Sequence, residues 1–548
     1  MPGAPGTKLA TSASSHEKTP LMKKDEAEEE TSLLRDPLGW VKALGESYSW
    51  RLLTMVALTS HLLKGFVAGG GDEGLIGKPA EFIFSDLGIS AGRLQTLKAV
   101  TLVPFAMKPV VALLSDACPL FGYHKMPYVV LFSVMSFFAV TSLGFGLTTS
   151  ESAVVAALFL AFLQVASVDV LMGAKQSQEI KRKASLGPEF ITFNWLGINA
   201  GQVASVCVLG PMISVYGPYL PYRLAAPLVL IVLWPALGNF LGEERVEQRA
   251  EGPDVFRKHP ILCLLTFMIG MLALALVMGT FLLEESMLIH LAAGVAFVVL
   301  SSFMLFIRWE ITGPVTFFFL LGLLSFNIEG AMFYFCTDNA AEFPTGPHFT
   351  PHFYITGVGA ASFIGITLGF MTGAELFKQW SYKSICIVTI CLRVMTQLAL
   401  IPLLRRWTGG SFDCVWLLSV AFLDNLVQAW RWIPKQVMAA HLAPRGVEAT
   451  TLGLHAGTFN MASILSTYCG GYFLNYFGIT PSGEHREGSE FLELWKVQCL
   501  ASLAPLFLVF LIPILLPEKT QTEKLLEEQD ESATHNSVFE RWRRDRRS

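Results

Sequence analysis

Between residues 50 and 516 the sequence alternates long apolar runs with short polar loops. A helix needs ~20 residues to cross a ~30 Å hydrocarbon core. Fourteen runs are long enough, near 50–70, 92–114, 127–147, 153–174, 189–211, 221–241, 260–282, 287–308, 312–335, 351–373, 383–404, 414–434, 450–476 and 494–516. They predict an all-α polytopic membrane protein. The flanking stretches, 1–45 and 517–548, are rich in Ser, Thr, Pro, Lys and Glu and read as disordered cytosolic tails.

Composition supports this. The chain is 52% apolar and 15% charged, where soluble domains hold ~25% charged residues, and its mean hydropathy is +0.49. A water-soluble protein could not hide this much apolar surface, so lipid is the expected solvent. The net charge of -4 gives no sign of a nucleic-acid partner. Nine scattered cysteines with no CxxC pair indicate neither a disulfide framework nor a metal site. The N-terminus lacks the short apolar core of a cleaved signal, so insertion is expected to use the first spanning helix.

Basic loops set the orientation. With an even number of spans and a cytosolic N-terminus, Lys125, Lys181, Arg182, Lys183, Arg245, Arg249, Arg257, Lys258, Lys383 and Arg445 face the cytosol. The other side keeps Lys78, Arg405, Arg406 and Arg486 among acidic residues. Both termini are then cytosolic. Asp116 and Glu375 close the second and tenth runs 259 residues apart, and Asp169 and Asp424 lie 255 apart in the fourth and twelfth. Such spacing suggests a repeated six-helix unit, the organisation of secondary transporters. The expected plan is an N-terminal half at 46–241, a linker at 242–259, two inserted helices at 260–309 and a C-terminal half at 310–516.

Ionisable residues inside apolar runs are costly, ~2.5–3.5 kcal/mol each at mid-bilayer on insertion scales. This chain has Lys64, Lys98, Lys108, Asp169, Lys175, Glu329, Asp424, Arg431 and His455 there. Lys98 and Lys108 are nearly three turns apart and share roughly one face. Asp169 and Lys175 are six apart and do not, which calls for partners on other helices. Two readings stand for each charge: an interhelix ion pair or snorkelling lysine (Lys64, Lys175 and Lys435 lie near span ends), or the wall of a polar cavity. For Lys108, Asp169 and Asp424 the cavity is preferred; His455 reads as a satisfied buried histidine.

No HExxH pair, acyltransferase His–Asp spacing, nucleotide fingerprint or channel filter occurs. The stretch 72–78 (DEGLIGK) lacks the first glycine of a phosphate loop and has Pro79 where Ser or Thr is needed. Nothing indicates an enzyme or a bound cofactor.

Several loop words point further. Leu114-Ser115-Asp116 followed by Gly122-Tyr123-His124-Lys125 has the form of the short cytosolic loop of major facilitator transporters, with Ala112 where that pattern has Gly. Met107-Lys108-Pro109, Pro119–Tyr123 and Met126-Pro127-Tyr128, with 169–179 (DVLMGAKQSQE), closely resemble the folate–biopterin transporter family of that superfamily. The words 331–338 (AMFYFCTD), 343–349 (FPTGPHF), 430–434 (WRWIP) and 444–450 (PRGVEAT) resemble the pteridine and folate carriers of kinetoplastid protozoa. The resemblance covers about residues 45–526.

It implies a major facilitator-type fold and import of folate, biopterin or a related pteridine by alternating access. A carrier of S-adenosylmethionine and a non-transporting pterin sensor are the alternatives. Carboxylates such as Asp169 or Asp424 suit the adjacent N–H donors of a pterin, and Lys98, Lys108, Lys175 or Arg431 suit the carboxylates of folate. Trp195, Trp430 and Phe335 are candidates for ring stacking. Glu329 joins the binding or coupling set, and Asp116, His124 and Lys125 form the expected inner gate. Proton symport would suit the buried carboxylates. The expected partners are a small-molecule substrate and the bilayer, with a monomeric chain. An acidic dileucine-like stretch, 29–34, fits sorting to the plasma membrane with endosomal cycling.

Overall fold

A computed structural model describes residues 36–183, 186–243, 245, 259–442, 448–484, 487–521, 523, 525 and 533–545. The dileucine-like stretch, Arg486 and most of the 242–259 linker lie outside them. Two compact units divide the chain, one ending at Leu53 and one beginning at Thr54.

In the first unit, α1 (Pro37–Tyr48) starts at a cap. The Asp36 carboxylate accepts the Gly39 N–H at 2.9 Å, and Pro37 presets φ at the first helical position. Trp40, Leu44 and Tyr48, spaced four apart, are buried. Residues 37–45, expected to end a disordered tail, are therefore helical. The charges upstream dominate the local composition and mask the Asp-Pro start signal.

The second unit is helical; among the described residues it holds no strand beyond two isolated bridges, Leu120 with Tyr123 and Ser381 with Thr520. Helix α2 (Trp50–Val56) leads into it and continues as a π-helix (Ala57–Val67), followed by α3 (Pro79–Asp86). Then come α4 (Ala91–Ala106), α5 (Lys108–Ala117), α6 (Met126–Gly144), α7 (Glu151–Arg182), α8 (Gly187–Tyr216) and α9 (Leu220–Leu230). Two central helices follow, α10 (Pro260–Leu282) and α11 (Glu285–Phe306). The remainder comprises α12 (Trp309–Leu324), α13 (Glu329–Thr337), α14 (Val358–Leu376), α15 (Tyr382–Leu398), α16 (Asp413–His441), α17 (Glu448–Tyr476), α18 (Leu494–Leu503) and α19 (Val538–Asp545).

Ten helical stretches among the described residues are long and apolar enough to cross a membrane. The other four predicted runs are helical too, but Trp50–Val67 is partly π-wound and Leu494–Phe510 is short. Of the remaining two, α16 carries Asp424, Arg431 and Lys435, and α17 carries His455. Helices suit lipid because they pair their own N–H and C=O groups.

Close approaches fix the packing. A Cβ on Gly65 would lie 2.6 Å from the Ile198 carbonyl oxygen, so the π-helix and α8 meet backbone to backbone. Helix α4 runs along α17, where Asn460 Nδ2 donates to the Phe105 carbonyl at 3.0 Å. Helices α10 and α11 pack against α17, and Thr280 and Tyr468 join hydroxyls at 2.6 Å.

Three expectations change. The run 312–335 is not one helix: it breaks at residues 325–328, between α12 and α13. Lys98 and Lys108 do not act together: Lys98 pairs with Glu81 and Asp72, and Lys108 with Asp169. The described parts of the 517–548 tail are docked rather than disordered. The Tyr382 N–H donates to the Lys519 carbonyl and the Arg308 N–H to that of Ala533, each at 3.0 Å, and Phe539 of α19 packs 5.2 Å from Phe306. Those contacts lie more than a hundred residues away in sequence, where composition does not reach.

Candidate substrate-binding site

The buried charges gather into three groups. Asp169 of α7 bridges two lysines, with Lys64 of the π-helix at 2.7 Å from Oδ1 and Lys108 of α5 at 2.7 Å from Oδ2. Asp169 thus finds its partners on other helices, as its spacing from Lys175 required. Lys98 of α4 pairs instead with Glu81 of α3 at 2.5 Å and Asp72 at 3.2 Å. Lys78 completes that group, 3.3 Å from both Glu73 and Glu81. Burial works against its charge, but Glu73 and Glu81 outweigh it and carry its pKa well above the ordinary lysine value.

The third group lies on α15 and α16. Asp424 pairs with Arg393 at 3.3 Å and accepts the Thr396 hydroxyl at 2.9 Å. Gln428 Oε1 accepts from both Arg393 and Arg431, each at 2.7 Å. Arg431, the expected cation of this span, therefore reaches the group through Gln428. The partner of Asp424 is Arg393, which sequence reading missed because one arginine barely lowers the hydropathy of the 383–404 run.

Next to this group the chain leaves helical form. The carbonyls freed at the break between α12 and α13 are met by side chains of α4 and α17. Gln95 Nε2 donates to the carbonyls of Asn327 at 3.0 Å and Thr467 at 2.9 Å, and Ser466 Oγ donates to that of Ser325 at 2.5 Å. The Asn327 side chain accepts the Glu329 N–H at 2.7 Å, which opens α13. Broken helix backbone survives at membrane depth only where such partners exist or a cavity opens. No Pro or Gly marks residues 325–328, so only Ser325 and Asn327 hinted at the break.

Two cavities adjoin it. One, of about 440 Å³, takes in Asn327, Glu329, Arg393, Gln428, Arg431 and Lys435. The other, of about 390 Å³, shares Glu329, Arg393 and Gln428 and adds Asp424, Lys78 and Tyr354. Both volumes fall in the range that holds small organic ligands. Glu329 has no Lys, Arg or His within 4.0 Å among the described residues and is exposed to this space.

Other predicted residues lie elsewhere. Lys175 pairs with Glu179 on its own helix at 3.0 Å. Trp430 packs on Phe377 and donates to Thr372 at 3.0 Å, while Phe335 is buried against Phe343 and Phe491. Trp195 faces Trp432 edge-on, with the Lys64 ammonium 5.5 Å from its ring centre. His455 is buried beside Phe459. At the expected gate, His124 Nδ1 lies 2.9 Å from the Ser115 carbonyl. Glu243 caps the start of α6. It accepts the Lys125 and Met126 N–H groups at 3.0 Å each and lies 3.8 Å from the Lys125 ammonium.

Known proteins resemble this chain over nearly its whole length. The folate-biopterin transporter of Synechocystis sp. is 24% identical over 497 residues, 88% of this chain and 85% of that one. Probable folate-biopterin transporter 2 of Arabidopsis thaliana is 24% identical over 519 residues, 90% of each chain. Among solved structures, the nucleoside transporter NupG superposes with a TM-score of 0.54 at 12% identity, covering 85% of this chain and 98% of that one. A POT family transporter in complex with 5-aminolevulinic acid gives 0.57 at 13%, covering 88% and 98%. At those identities the likeness is one of fold, a transporter fold of the major facilitator type. The sequence model of the BT1 family matches residues 71–532, and the chain belongs to that family of folate–biopterin transporters.

Proposed function

We propose that this protein is a secondary active transporter that imports folate, biopterin or a related pteridine by alternating access, coupled to protons. The observation that carries the reading is the pair of adjoining polar cavities around Glu329, Arg393 and Gln428, enclosed by apolar helices. The names of its relatives supply the substrate class. Carboxylates at Glu329 and Asp424 suit the N–H donors of a pterin, and Arg393 and Arg431 suit its anionic appendages.

All fourteen helical runs span the bilayer in this reading, as two six-helix halves with α10 and α11 inserted between them. Both termini are cytosolic, and the chain works as a monomer in the plasma membrane. Lys64, Lys108 and Asp169 form an ion-pair network that rearranges with the transport cycle, and Asp116, His124 and Lys125 belong to the inner gate. Asp169 and Asp424 each hold a cation already, whereas Glu329 does not, so Glu329 is the proton-coupling carboxylate. Uptake of folate and biopterin by transport-deficient cells expressing the chain tests the reading. Accumulation above vector-only cells is expected; absence of both, with the protein at the cell surface, refutes it.

A further inference from the structure

Most cations inside the helices of this protein have a counterion. Lys64 and Lys108 share Asp169, Lys98 has Glu81, Arg93 has Glu151 at 2.7 Å, and Arg393 has Asp424. Arg431 and Lys435 do not. Arg431 meets the amide oxygen of Gln428, and the Lys435 ammonium lies 4.3 Å from the centre of the Phe459 ring. Among the described residues no carboxylate lies within 4.0 Å of either. They stand four apart on α16, hence on one face, and both line the 440 Å³ cavity.

Two neighbouring cations without a counterion are costly among apolar helices. An amide oxygen and a ring face soften that cost without cancelling the charge. An anion entering the cavity would cancel it. A planar guanidinium suits two-point pairing with a carboxylate, and an ammonium one turn away suits a second. We infer that Arg431 and Lys435 form the anion-binding end of the cavity and select pteridines that carry carboxylates over those that do not. This rests on the pteridine reading above and deepens it.

The test compares equilibrium binding of radiolabelled folate, which has two carboxylates, and biopterin, which has none, to the purified full-length chain. In R431Q/K435Q the folate-to-biopterin affinity ratio should fall at least tenfold, and in R431K or K435R by less than threefold. A ratio that stays within twofold in the double variant overturns the inference while leaving pteridine binding intact. If the double variant cannot be purified, K435Q decides alone, with at least a threefold fall expected and no fall overturning it. If the unaltered chain binds neither pteridine, the substrate reading fails separately. The anion end is then probed with p-aminobenzoylglutamate: a rise in melting temperature that R431Q and K435Q each remove supports it, and no rise in the unaltered chain overturns it.

Discussion

Gln95 of α4 donates to the backbone carbonyl of Asn327, 232 residues further along the chain, and so holds open a break in a helix at the edge of the cavities. The same amide reaches Thr467 of α17, and Gln95 itself is buried. Three segments meet at one side chain. Gln95→Leu would remove the amide that meets the Asn327 carbonyl at the break, and a buried carbonyl left without a partner costs about 1–3 kcal/mol. The purified variant should melt at a clearly lower temperature, and transport should fall with it. An unchanged melting temperature would show that the break does not depend on this amide.

The lysine–aspartate–lysine group makes an asymmetric prediction. Lys64→Ala leaves the Lys108–Asp169 pair intact, whereas Asp169→Ala leaves two facing ammonium groups with no counterion. Breaking a buried pair from one side costs about 3–5 kcal/mol. Asp169→Ala should therefore yield much less folded protein than Lys64→Ala, by size-exclusion profile after heating. Adding Lys108→Ala to Asp169→Ala should recover part of the loss. Equal losses in the two single variants would contradict the geometry.

Proton coupling through Glu329 predicts a pH signature. Import with a proton is faster when the outside is more acidic, so uptake by the unaltered chain should rise as external pH falls. Glu329→Gln cannot take up the proton. Its uptake should be slower and flat across the same range, while Asp424→Asn keeps a slope in whatever uptake it retains. A normal slope in Glu329→Gln would move coupling to another carboxylate.

Glu243 caps α6 through the N–H groups of Lys125 and Met126. Loss of such a cap costs about 0.5–2 kcal/mol. Glu243→Ala should thus lower the melting temperature more than Asp116→Ala does. The reverse order would show that α6 depends on Asp116 rather than on this cap.

Much of this arrangement was legible in the order of residues. The apolar runs located the helices, since length and hydropathy are local properties. The need of Asp169 for partners on other helices followed from its spacing to Lys175. Which partners it took did not, because Lys64 lies 105 and Lys108 61 residues away. Lys98 went to Glu81 and Asp72, in a segment that reads as an ordinary loop. Arg393 and Gln428 were hidden for opposite reasons, one as a lone charge in an apolar run and the other as a neutral amide. The break at Ser325–Ile328 carried no Pro or Gly, and the residues that stabilise it sit on α4 and α17. Pairings across distant segments are what a linear reading lacks.

The central claim is transport of a pteridine, and sealed vesicles carrying the purified chain test it most directly. Radiolabelled folate, biopterin and S-adenosylmethionine are offered side by side under an inward proton gradient. Folate or biopterin should accumulate inside above protein-free vesicles, with folate favoured, and S-adenosylmethionine should not. Accumulation of S-adenosylmethionine alone, or of none of the three, would contradict the account.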